Sequence, residues 1–94
     1  MFVVRNCFVA KPGHGSKLAA QLKEAAAVGK LPRHRILTDV TGDFNRVILE
    51  YEADSVAEFE TRMKDYATNT AFREKMKGYT DLWITGSREI LQIA

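Results

Sequence analysis

Residues 2–10, Phe-Val-Val-Arg-Asn-Cys-Phe-Val-Ala, do most to narrow what this chain can fold into. Their Val and Phe content favours a strand, and Lys11-Pro12-Gly13 ends it as a turn. Proline removes a backbone donor there and glycine permits the bend. Successive strand residues point to opposite faces. Phe2, Val4, Asn6 and Phe8 share one face, and Val3, Arg5, Cys7 and Val9 share the other. Both faces carry large apolar groups, and a strand of that kind is usually covered on both.

The chain has few means of supplying that cover alone. Its 94 residues make one domain, 1–94. A domain of this size buries only about 60–65% of the surface its unfolded chain exposes. Disulfides, metals or oligomerisation usually make up the shortfall. Cys7 is the single cysteine, which excludes an internal disulfide, and His14 and His34 are the only histidines. No Cys/His cluster exists, so no metal site is expected. Oligomerisation remains. A 46% hydrophobic and 28% charged composition is that of a globular chain. No segment is long and apolar enough to span a membrane, and Met1 to Arg5 lacks the order of a signal peptide. The expectation is a cytoplasmic protein without a membrane partner.

The remaining elements follow from periodicity. Residues 16–28 place Leu18, Leu22, Ala25 and Ala26 at helical spacing, with Ser16 as N-cap and Gly29 as stop. Residues 34–41 and 44–52 read as two strands joined in a hairpin by Gly42-Asp43. Ser55-Val56-Ala57-Glu58 matches a capping box, and the helix after it aligns Val56, Phe59, Met63 and Tyr66. Thr68-Asn69-Thr70 interrupts that helix, and a shorter one carries Phe72, Met76 and Tyr79. Residues 87–94 read as a last strand. The order β-α-β-β-α-β predicts an α+β, ferredoxin-like fold: a four-stranded antiparallel sheet with both helices on one face. The other face would carry Val3, Cys7, Val9, Leu37, Ile48, Leu91 and Ile93. Exposed apolar surface of that extent invites association, so a C2 homodimer is expected.

This order in under 100 residues, the Lys11-Pro12-Gly13 turn and the Ser-Val-Ala-Glu-Phe opening of the second helix together resemble the dimeric α/β-barrel superfamily. The closing Gly86-Ser87-Arg88-Glu89-Ile90-Leu91 resembles its NIPSNAP-like branch. The resemblance spans nearly the whole chain. It implies two sheets closed into a barrel across a dimer, with helices outside. Superfamily members include cofactor-independent monooxygenases, haem-degrading enzymes and isomerases, so fold alone leaves the function open.

Two functions are weighed on that basis. The first is binding of a small, mostly apolar molecule between sheet and helices, lined by Phe2, Phe8, Tyr51, Phe59, Met63 and Phe72. The alternative is a cofactor-independent monooxygenase or isomerase acting on a small aromatic or polyketide-like substrate. Asn6 would then be an oxyanion donor, Tyr66 or Tyr79 a hydrogen-bond partner, and His34 the base. The plainer role of these residues is packing and backbone hydrogen bonding. No cofactor is expected: the haem-degrading branch is similar in having an Asn on the first strand, as Asn6 is, but its axial His has no counterpart in the second helical region here. Cys7 reads as a small buried hydrophobe and His14 as part of a Gly-His-Gly surface turn. Glu50 and Glu52 share a strand face; acid–base work is one use, and neutralisation by Arg5 and Arg46 is another. Nucleic acid is not an expected partner, since Lys plus Arg exceeds Asp plus Glu by only 14 to 12 and Phe2, Phe8 and Tyr51 fall on the helix-facing side.

Overall fold

The computed structural model describes residues 1–94. The elements run β1 (Phe2–Ala10), α1 (Gly15–Val28), β2 (Arg35–Thr38), β3 (Arg46–Ala53), α2 (Val56–Thr68), α3 (Thr70–Met76), a short 3-10 turn (Tyr79–Asp81) and β4 (Trp83–Gln92). The sheet order is β2-β3-β1-β4, antiparallel throughout. This is the ferredoxin-like α+β arrangement.

The alternation in β1 decides the layers. Val4 and Ala10 are fully buried beneath the helices, beside Leu18, Leu22 and Ala26 of α1 and Val47, Leu49 and Tyr51 of β3. From α2, Phe59 and Tyr66 close the layer, seven residues apart and so on one helix face.

Local signals explain several boundaries. In α2 the Ser55 hydroxyl accepts from the Glu58 N–H at 3.0 Å, and the Glu58 carboxylate accepts from the Asp54 N–H at 2.8 Å. The box forms, reaching one residue further back than the usual reciprocal bond. The break at Asn69 has a capping role too: its side chain accepts from the Phe72 N–H at 3.0 Å and starts α3.

Four local expectations need correction. Ser16 does not cap α1; the helix starts at Gly15 with His14 as N-cap and no side-chain cap bond. Gly13, at φ 83°, turns the chain early enough for helical geometry to begin before Ser16. Gly42-Asp43 is not a two-residue hairpin. The strands end at Thr38 and restart at Arg46, paired Thr38 to Val47, so residues 39–45 form the connection. Asp39 staples its base, accepting from the Arg46 backbone N–H at 3.2 Å and from Arg46 Nε at 3.1 Å. The second strand is accordingly four residues long, not eight. β4 begins at Trp83, four residues before the expected Ser87. Gly86 within it resembles a strand breaker in sequence. In the sheet it lies opposite Phe8, and a Cβ there would stand 3.3 Å from the Phe8 ring and from the Cys7 carbonyl.

The sheet face away from the helices has an ordered composition. In register across all four strands stand Arg35, Glu50, Arg5 and Glu89. Arg35 Nη2 lies 2.6 Å and Arg5 Nε 3.0 Å from the Glu50 carboxylate, and Arg5 Nη1 lies 3.9 Å from Glu89. These hydrogen bonds, Arg35's first, hold the Glu50 carboxyl below the usual carboxylate range against the cost of burial. Glu50 is 6% exposed and paired with both arginines. Arg33 pairs with Glu52 at 3.6 Å. Both glutamates are thus neutralised. Apolar rows flank this ladder: Leu37, Ile48 and Cys7 on one side, Val3 and Leu91 on the other, with Leu37, Leu91 and Ile93 exposed.

Candidate functional site

Between sheet and helices lies a cavity of about 150 Å³, with ten hydrophobic residues among its twelve lining side chains. Larger hollows, up to about 470 Å³, are open and lined mostly by polar and charged groups.

Each wall follows from a local pattern. Asn6 and Phe8 project from β1 two residues apart, hence to one face. Leu49 and Tyr51 do the same from β3. In register, Asn6 sits between Leu49 and Arg88 of β4. Met63 and Tyr66 descend from α2. The chain break at Asn69 then redirects the backbone, so Phe72 and Met76 of α3 close another side, with Tyr79 beyond. Leu22 of α1 and Leu31 complete the lining.

Three tyrosines reach this cavity and their hydroxyls differ. The Tyr66 hydroxyl donates to the Gly29 carbonyl at 2.8 Å, and its ring stacks on Phe72 with centroids 4.3 Å apart. Gly29 is needed for this: a Cβ there would meet the Tyr66 and Phe72 rings at 3.1 Å. Its φ of −76° needs no glycine, and the left-handed turn falls on Lys30 instead. Tyr79 meets Phe8 edge-on at 6.3 Å and Trp83 at 6.2 Å. Tyr51 is 2% exposed, and its hydroxyl has no hydrogen-bond partner. Burial pushes its pKa up to about 12, although the Arg88 charge pulls the other way. Tyr51 is therefore a neutral O–H at ordinary pH.

The polar end is built from Asn6 and Arg88. Arg88 Nε donates to Asn6 Oδ1 at 2.6 Å, which orients the Asn6 amide with its NH2 free to donate elsewhere. The Arg88 guanidinium carbon stands 5.4 Å from the Phe59 ring centroid, a cation–π distance. No carboxylate lies within 4 Å of Arg88.

Of the residues selected from sequence, the structure gathers Asn6, Phe8, Tyr51, Met63, Tyr66, Phe72 and Tyr79 around the cavity. It leaves three outside. Phe2 lies at the start of β1 between Ala53 and Gln92. Phe59 packs in the core under Arg88. His34 precedes β2 and turns to the Leu31 carbonyl at 2.9 Å; a carbonyl only accepts, so the proton is on Nδ1. As a base inside the cavity His34 is misplaced. The residue missed was Arg88. Its signal was available: alternation with Glu89 and Leu91 on the open face puts Arg88 on the helix side. No group of three or more His, Cys, Asp or Glu side chains gathers anywhere, and no helix is long and apolar enough to cross a membrane.

Several solved structures share this fold. A NIPSNAP domain protein from Burkholderia xenovorans superposes with a TM-score of 0.86 at 14% identity, covering 100% of this chain and 95% of that one. A NIPSNAP family protein from Agrobacterium tumefaciens gives 0.86 at 13% identity, covering 99% and 92%. An antibiotic biosynthesis monooxygenase gives 0.75 at 11% identity, covering 100% and 99%. No protein family model and no curated protein matches the chain. The fold is thus that of NIPSNAP-domain and antibiotic biosynthesis monooxygenase proteins, reached at identities where only the fold is shared information.

Proposed function

We propose that this chain binds a small, mostly apolar molecule in the cavity between sheet and helices. The observation that carries this reading is the lining: ten of twelve side chains are hydrophobic around about 150 Å³. An apolar cavity of that size holds a benzene-sized ligand, so a single ring or short branched chain is the expected occupant. Phe8, Met63 and Phe72 are its apolar contacts. The test is a thermal-shift and ligand-observed NMR series with toluene, indole and a fused-ring aromatic. Saturable binding of the single-ring probe supports the reading. Absence of binding by every probe refutes it.

The assembly belongs to the same proposal. Two copies meeting by their open sheet faces would cover Leu37, Leu91 and Ile93 and enclose the Arg35–Glu50–Arg5–Glu89 ladder. The cytoplasm is the compartment that keeps the thiol of Cys7 reduced. Sedimentation velocity at micromolar concentration is expected to give a dimer, and a monomer there refutes it.

A second reading is favoured by the polar end of the cavity and by the fold shared with an antibiotic biosynthesis monooxygenase. In it, Asn6, with its NH2 oriented by Arg88, stabilises a developing enolate, and Tyr79 positions the substrate. The small volume favours a one-ring substrate over a fused polyketide. Oxygen uptake on adding single-ring phenols or enols tests it.

A further inference from the structure

We propose that the occupant of this cavity is an anion: a single-ring acid whose negatively charged oxygen is bound jointly by the Arg88 guanidinium and the Tyr51 hydroxyl. The inference rests on the reading that the cavity takes a small molecule, and it adds the charge and the two groups that read it.

Arg88 differs from the other arginines. Five of the seven, Arg5, Arg33, Arg35, Arg46 and Arg62, lie within 4 Å of a carboxylate. Arg73 and Arg88 have no such partner and both are exposed, Arg73 on α3 and Arg88 on β4. Arg88 alone combines a missing counter-charge with a place in the wall of an apolar cavity. Its head is held from two sides. Asn6 fixes Nε at 2.6 Å, and the Phe59 face supports the guanidinium at 5.4 Å. Nε is one of five N–H donors, and the remaining four donate to no protein atom. A guanidinium presents such donors as a fork that matches the two oxygens of a carboxylate.

Tyr51 supplies the second, independent observation. It is 2% exposed, its hydroxyl has no partner, and its side chain lines the same cavity. Buried hydroxyls are normally satisfied, so an unpaired one on a residue that lines a cavity calls for an acceptor. Arg88 and Tyr51 line the same cavity, and the Arg88 charge pulls the Tyr51 pKa down while burial pushes it up. An acceptor between them would satisfy both. A neutral apolar ligand would satisfy neither. The ring of the acid would lie against Met63, Phe72 and Met76, away from the charge.

The experiment is calorimetric titration of the full chain with benzoate and with its neutral isostere benzamide, in wild type, Arg88→Gln and Tyr51→Phe. Toluene serves as the apolar control, and 4-nitrophenol, whose visible absorbance reports ionisation, distinguishes phenolate from carboxylate. Benzoate is expected to bind at least about tenfold tighter than benzamide, the equivalent of one charge-assisted hydrogen bond. Arg88→Gln is expected to abolish that preference, with circular dichroism showing that the variant is folded. Tyr51→Phe is expected to weaken benzoate by about fivefold or more relative to toluene. A phenolate preference would appear as increased ionisation of bound 4-nitrophenol. Equal binding of benzoate and benzamide in wild type, or a preference that survives Arg88→Gln, overturns the anion assignment while the cavity reading stands. Failure of toluene as well as both acids overturns the cavity reading itself.

Discussion

Tyr66 and Tyr51 line one cavity, are both buried, and are expected to respond to the same substitution with opposite signs. Tyr66→Phe removes a hydroxyl that donates to the Gly29 carbonyl at 2.8 Å. Loss of one such bond costs about 1 kcal/mol. Tyr51→Phe removes a hydroxyl that is buried without a partner. Relieving an unsatisfied buried group returns about 1 kcal/mol or more. Both changes delete the same atom from the same residue type, so effects on the unfolded chain cancel between them. The variants should therefore differ by about 2 kcal/mol. For a domain of this size that separates their midpoints by roughly 8–16 °C. Thermal unfolding followed by circular dichroism, without ligand and at one protein concentration, measures it directly. The alkaline limb gives an independent check. A folded pKa of about 12 for Tyr51 lies above the unfolded value of 10.0. A group with a raised folded pKa contributes stability that is complete below pH 10 and lost as pH rises through 12. Tyr51→Phe should flatten that loss. If Tyr51→Phe destabilises as much as Tyr66→Phe, the Tyr51 hydroxyl has a partner and the reasoning fails.

Three further outcomes follow from other contacts. Glu50→Gln should cost about 1 kcal/mol at pH 7, a modest figure because Arg5 and Arg35 are 40% and 64% exposed. The Glu50 carboxyl is held low in the folded state, so its contribution is present above the unfolded pKa of about 4.5 and lost as pH falls through the folded value. Acid titrations of stability should accordingly be shallower below pH 4.5 in the variant, and parallel curves would show that the ladder contributes nothing. Gly29→Ala, normally favourable near a helix end, should instead destabilise by about 1–2 kcal/mol in urea, because its Cβ meets two stacked rings at 3.1 Å and Tyr66 is tethered in place. A gain in stability would show that the rings yield. Ser55→Ala should cost about 1 kcal/mol by loss of the α2 cap, and an unchanged urea midpoint would mean that water replaces the hydroxyl.

Much of the fold was legible because the signals are local. The faces of β1, the capping box at Ser55 and the interruption at Asn69 each depend on residues within a few positions of one another. The Thr-Asn-Thr run marks the break, and the structure adds its purpose: Asn69 ends one helix, caps the next and turns Phe72 and Met76 toward the sheet. Errors occurred where a local cue competed with a distant one. Gly42-Asp43 looks like a tight turn, but the Asp39–Arg46 staple sets the length of that connection. Gly86 looks like a strand end, but it lies inside β4, where a Cβ would stand 3.3 Å from the Phe8 ring across the sheet.

Element order, the side each strand residue faces and the surplus of apolar surface on the uncovered face are legible in the linear chain. Periodicity and capping are properties of neighbouring residues, and a linear chain displays them. The chemistry of the cavity depends instead on contacts made across the fold. The Arg88–Asn6 bond joins residues 82 positions apart, and the Tyr66–Gly29 bond joins residues 37 apart. Three tyrosines that are equivalent in sequence became a tethered ring, an aromatic wall and an unpaired donor. What separates them is which backbone carbonyl comes within 3 Å of a hydroxyl, and that depends on how helices and sheet pack.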